Sequence, residues 1–163
     1  MAYRVFLSYS TRDLPLVEQV KLHLEKTNTH VFLAQYTVTP GAEIGPTIIK
    51  AIKECDLFIL FWSEYAKTSE WVPQEIGVAK ASNKPVIPIL LYGDIELPGF
   101  LKGVKYLPLY KDPIRAVEWL KHNVFERSQK KQQTEGLTWL GIGAVVLWLL
   151  NESDKDKENN GGV

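Results

Sequence analysis

Strand-like and helix-like patterns alternate five times along this 163-residue chain. That alternation predicts an α/β protein with a parallel sheet covered on both faces. Leu57 to Trp62 is apolar without a break, as a strand buried on both sides must be. Crossovers between parallel strands are right-handed, so a doubly wound layout is the economical one. The predicted fold is therefore a flavodoxin-like three-layer α/β/α sandwich with a five-stranded parallel sheet, plus a C-terminal apolar helix.

The elements follow in order. Val5-Phe6-Leu7 begins the first strand. Asp13 is placed to cap a helix and Pro15 is tolerated in its first turn. Leu16, Val20 and Leu24 then recur at helical spacing, with Val17 beside them. Val31-Phe32-Leu33 is a short second strand, and Gln35 to Glu43 is a polar loop holding the turn signal Pro40-Gly41. Ile44, Ile48, Ile52 and Cys55 line one face of the next helix, with Ile49 adjacent. After the strand Leu57–Trp62 comes a helix carrying Trp71 and Glu75 and running to about Ala81. Pro85 to Leu90 is a fourth strand, and Tyr106-Leu107-Pro108-Leu109 a fifth, edge-like one. Pro113 opens a helix through Val117, Leu120 and Val124. These elements make one domain over residues 1–125.

The C-terminal part differs in character. Residues 126–135 form a basic linker with Arg127, Lys130 and Lys131. Gly136 to Leu150 carries no charge, Thr138 is its one hydroxyl, and Trp139 and Trp148 lie near its ends as interfacial aromatics do. Fifteen residues rise only ~22 Å as a helix, against ~30 Å of hydrocarbon. A span therefore needs local thinning or its flanks drawn in; the alternative is a helix packed against protein. The membrane reading is preferred, with the basic side and the globular domain in the cytoplasm. Residues 151–163 read as a disordered polar tail.

Composition excludes several classes. Lys and Arg together equal Asp and Glu at 19 each, so no bias toward nucleic acid exists. A single cysteine, Cys55, rules out an internal disulfide and a cysteine-built metal site. The first strand is followed by no G-x-G-x-x-G, and no Walker sequence occurs. His23, His30 and His122 are scattered, so no metal site is predicted. A phosphoacceptor receiver would need acids at the first and third strand ends, where this chain has Ser8-Tyr9 and Trp62-Ser63. Ser8, Ser10 and Ser63 have no identifiable base beside them.

Trp71 and Glu75 remain. Four apart on a helix, they share a face one turn from each other. Such a pair can stack on a flat ring and present a carboxylate to the adjoining ribose. They follow a buried strand, which places them near the carboxyl end of a sheet, where open α/β folds bind ligands. Taken alone, Trp71 in the core and a solvated Glu75 is the commoner arrangement.

Five blocks taken together change the balance: Val5 to Ser10 with Asp13; Val31-Phe32-Leu33; Pro40-Gly41 before Ile44; Ala51-Ile52 before Cys55; and Ser69 through Ile76. In order and spacing they resemble a Toll/interleukin-1 receptor (TIR) domain, over about residues 4 to 125. The resemblance implies one of two functions. One group of TIR domains scaffolds signalling complexes through homotypic contacts. The other cleaves NAD+ between nicotinamide and ribose in immune or antiviral defence, yielding ADP-ribose or a cyclic isomer. For the enzymatic group it implies Glu75 as catalytic residue and Trp71, Ser8, Tyr9, Pro40 and Gly41 as substrate-binding residues. It implies NAD+ as substrate with no cofactor, and activation by self-association. Two departures bear on substrate positioning: Ala34-Gln35 stands where the family often has an acid, and Ser10 where some enzymes have arginine. The NAD+ nucleosidase is the preferred expectation, and the non-catalytic adaptor is its alternative. A more distant option is a nucleoside-processing transferase of similar fold.

Overall fold

The computed structural model describes residues 2–34 and 45–158, with side chains through Thr138. Five strands form one sheet: β1 (Tyr3–Ser8), β2 (Thr29–Leu33), β3 (Leu57–Trp62), β4 (Val86–Leu90) and β5 (Leu107–Pro108). Their order is β2-β1-β3-β4-β5, and every pairing is parallel. The predicted doubly wound sheet is thus the one observed. In this order the direction of winding reverses between β1 and β3, and ligand crevices in open α/β sheets form beyond the strand ends at that point.

Five helices connect and cover the strands: α1 (Leu14–Glu25), α2 (Pro46–Glu54), α3 (Glu64–Lys67), α4 (Val72–Ala81) and α5 (Pro113–Glu158). Side-chain alternation in the strands sorts them into two layers. Val5, Leu7, Leu57, Ile59 and Phe61 pack with Val17, Val20 and Leu24 of α1 and with Ala116, Leu120 and Val124 of α5. Phe6, Phe58, Leu60 and Trp62 pack on the opposite face with Ile52 of α2, Ala66 of α3 and Val72, Ile76 and Ala79 of α4. On that face Phe6 is stacked between Phe32 and Phe58, with ring centres 5.4 Å apart in both pairs. All six residues of β3 are buried, as its unbroken apolar run requires.

Several expectations change. Asp13 occupies the position before α1, but its side chain makes no capping bond; it turns inward, as described below. Leu16 is exposed, and Val17 supplies the buried contact instead. The short α3, capped by Ser63, which accepts from the Ala66 N–H, was not anticipated. The final helix, expected through Val124, runs from Pro113 to Glu158 as one element.

The expected membrane anchor is overturned. Among the described residues no helix is long and apolar enough to cross a membrane. The uncharged run of Gly136–Leu150 is short, and Lys131, Glu135 and Glu152 close it in on both sides. The cytoplasm-facing, tethered placement inferred from that segment falls with it. By contacts the chain divides into a unit of Ala2–Ser128 and a second containing Gln129–Val163.

Candidate functional site

Ser8 ends β1, and alternation places it on the same sheet face as Phe6, toward α4. On α4, Glu75 lies in the first turn, where a carboxylate is favoured by the helix dipole. Pro73 fits the start of this helix because its missing N–H has no partner to lose there. Ser69 fixes the entry, its hydroxyl oxygen accepting the Trp71 and Val72 N–H groups at 3.2 and 3.4 Å. The result is a direct bond: Ser8 Oγ donates to Glu75 Oε2 at 2.6 Å. Glu75 is 0 % exposed, so this carboxylate lies inside the protein at the switch point.

Trp71 precedes α4, and its carbonyl accepts the Glu75 N–H at 3.0 Å. It is half-buried and lines a pocket of about 280 Å³ with Ser10, Thr11, Arg12, Tyr65, Thr68 and Ser69. The face shared by indole and acid is therefore not exposed along its length: Glu75 has no accessible surface. Trp71 borders the pocket, whereas Glu75 is not among its walls and is held by Ser8. An acidic side chain on a helix is usually solvated; here the strand end supplies a donor that helps to allow burial.

Tyr9 is almost fully buried and its hydroxyl donates to the Ala34 carbonyl at 2.7 Å. It ties the ends of β1 and β2 together. Burial, followed by the negative charges of Glu75 and Glu18, pushes its phenol up to about 12. Pro40 and Gly41, the remaining predicted site residues, lie outside the described residues.

A second serine–carboxylate pair stands nearby. Ser63, immediately after β3, donates to Asp13 Oδ2 at 2.5 Å, and both residues are buried. Burial raises the Asp13 carboxyl above its ordinary range, and the Ser63 bond acts in the lowering direction. Both serines thus have carboxylate partners, which the sequence did not reveal: the partners lie 67 and 50 positions away. Asp13 itself looked like an ordinary helix cap. Neither pair contains a histidine, so neither forms the acid–base–nucleophile relay of a serine hydrolase. Among the described residues no three His, Cys, Asp or Glu side chains are grouped to hold a metal ion.

The pairing at the switch point can hold one carboxyl group, largely dehydrated, one helical turn from the half-buried indole of Trp71. A charge in such a place acts strongly on a cationic centre brought against it.

The described geometry can be set against known proteins. The sequence profile of the TIR domain matches residues 5–121. The TIR domain of a Toll-related receptor from Hydra magnipapillata is 24 % identical, with a TM-score of 0.62, covering 78 % of this chain and 99 % of its own. A CMP N-glycosidase from Clostridium botulinum is 27 % identical, with a TM-score of 0.52, covering 71 % of this chain and 97 % of its own. A flavodoxin-like domain from Synechococcus is 16 % identical, with a TM-score of 0.53, covering 82 % of this chain and 99 % of its own. No curated protein matches the sequence.

Proposed function

The chain belongs to the TIR domain family, and from that premise we propose that it is a nucleosidase that cleaves NAD+ between nicotinamide and ribose. The observation that carries the reading is Glu75, buried at the switch point with Ser8 Oγ on its Oε2 at 2.6 Å. The likeness to a protein named as a CMP N-glycosidase supports scission of a base–ribose bond.

The chemistry follows from the substrate. In NAD+ the nicotinamide nitrogen is formally positive. When the C1′–N bond breaks, its electron pair goes to the ring and neutralises it, so no acid is needed to protonate the leaving group. Positive charge develops on the ribose instead. Glu75 stabilises that oxocarbenium-like centre electrostatically, as a glycosidase carboxylate does. Trp71 stacks on a substrate ring. Water then adds to C1′ and loses a proton to solvent, giving ADP-ribose; attack by the adenine gives a cyclic isomer. For the ribose to meet Glu75, a ribose hydroxyl takes the place of the Ser8 hydroxyl. Ser8 is thus a positioning residue that holds the carboxylate until substrate arrives. Self-association raises activity in this reading.

The test is incubation of concentrated protein with NAD+ and identification of products by mass spectrometry. The wild type releases nicotinamide and Glu75→Gln does not. Equal loss of NAD+ in both proteins removes Glu75 from the reaction.

One observation favours a second reading, the non-catalytic adaptor: Glu75 is wholly enclosed and hydrogen-bonded, as a structural tie between β1 and α4 would be. It predicts no NAD+ turnover at any protein concentration, together with self-association that Glu75→Gln leaves in place.

A further inference from the structure

The pocket bordered by Trp71 is polar and contains one charged group. Its walls are the chain leaving β1, at Ser10, Thr11 and Arg12, and the segment from α3 to α4, at Tyr65, Thr68, Ser69 and Trp71. No carboxylate is among these residues. Arg12 is exposed, and among the described residues its recorded partner is a ring: its Cζ lies 5.0 Å from the centre of Tyr65. That distance is within cation–π range. A guanidinium placed over a ring is ordered while its N–H edges stay available to a doubly coordinating oxyanion. A hydroxyl adds a donor. The Ser69 oxygen accepts two backbone N–H groups, which leaves its own proton to give. Ser10 and Thr11 form the wall at the β1 exit. Thr68 gives its proton to the Glu64 carbonyl and contributes a wall.

The pocket wall is also close along the chain to the residues that hold the buried acid. Ser10 is two residues beyond Ser8, which holds Glu75, and Trp71 is one helical turn before Glu75. Each step is roughly 6–7 Å of backbone, so residues of the pocket wall and the residues that hold the acid are chain neighbours.

We propose that this pocket is the phosphate-binding subsite of the substrate, and that Arg12 selects phosphorylated N-ribosides over unphosphorylated ones. The inference rests on the reading of Glu75 as the acid that meets the ribose. Tyr65 acts through Arg12 by holding its guanidinium over the pocket.

The experiment compares NAD+, nicotinamide mononucleotide and nicotinamide riboside as substrates of the full chain. Wild-type kcat/KM is expected to favour both phosphorylated compounds over the riboside. Arg12→Ala is expected to reduce that preference about tenfold or more, chiefly through KM, and Arg12→Lys to recover part of it. A mononucleotide and dinucleotide affected alike place the ribose 5′-phosphate in the pocket; an effect on NAD+ alone places its second phosphate there. No preference in the wild type, or an equal loss on all three substrates, overturns the proposal. Should the wild type turn over none of them, the catalytic reading fails and binding decides the subsite. Calorimetric titration with ADP-ribose and with adenosine is then run on wild type and Arg12→Ala. Weakening confined to ADP-ribose sustains the subsite, and unchanged affinity for it ends it.

Discussion

Ser8 Oγ reaches Glu75 Oε2 at 2.6 Å across 67 positions of sequence, joining the last residue of β1 to the first turn of α4. The bond satisfies a carboxylate that has been taken out of water. Ser8→Ala deletes that donor while Glu75 stays buried. The expected cost is about 1–3 kcal/mol of stability, together with a lower kcat for NAD+. Urea unfolding and initial rates on the same preparation check both effects. A variant as stable and as active as wild type would show that the bond is incidental.

Asp13 and Ser63 give the fold a dependence on pH of known sign. Burial raises the Asp13 carboxyl above its ordinary value, so the folded chain binds this proton more tightly than the unfolded chain does. Stability from this group is therefore greatest in acid and falls as pH rises from the unfolded value through the raised one. Asp13→Asn keeps the shape and removes the charge. Its melting temperature relative to wild type should be higher at about pH 7 than at about pH 4. Melts in matched buffers measure this difference, and a difference independent of pH contradicts the assignment.

At the alkaline end Tyr9 acts in the same sense. Its phenol, pushed up to about 12 mainly by burial and next by Glu75, donates to the Ala34 carbonyl and cannot do so once ionised. The neutral form is favoured by folding, so stability is lost as pH climbs from about 10 toward that value. Tyr9→Phe should cost about 1 kcal/mol at neutral pH and remove this part of the alkaline loss. Phenolate absorbance followed with unfolding separates Tyr9 from the exposed tyrosines.

These pairings mark where the sequence stops being legible. Six apolar residues in succession made β3 plain, and the i, i+4 spacing put Trp71 and Glu75 one turn apart. Neither pattern carries the depth of a residue. Glu75 is a poor candidate for burial by residue type, and a strand end that reaches it from 67 positions away helps to make burial tolerable. Asp13 precedes a leucine and a proline as a cap should, yet Ser63, at the end of the neighbouring strand, bonds it inside the protein. The four-residue α3 is too short for any periodicity to show. Arg12 and Tyr65 are unremarkable singly and become a pocket only when the β1 exit faces the α3–α4 segment. The C-terminal segment failed in another way. Apolar character points to an anchor, but fifteen residues fall short of a bilayer.

The unit boundary at Ser128 predicts two different truncations. Ala116, Leu120 and Val124 of α5 are buried in the same cluster as β1, β3 and α1. Each apolar side chain of the Val or Leu class contributes about 1.5–3 kcal/mol when fully buried, and a domain of this size has only about 5–15 kcal/mol to lose. A chain ending before Pro113 forfeits all three contacts and leaves only α1 to cover that apolar face of β1 and β3. It should not give a cooperative melt. A chain ending at Ser128 keeps the whole cluster and should fold, with circular dichroism and a single unfolding transition. NAD+ turnover by that shorter chain, compared with the full chain over a range of concentrations, then separates two contributions. A rate per molecule that falls only on dilution locates the need for residues 129–163 in self-association. A rate absent at every concentration in a folded domain shows that turnover needs residues 129–163 for something other than self-association.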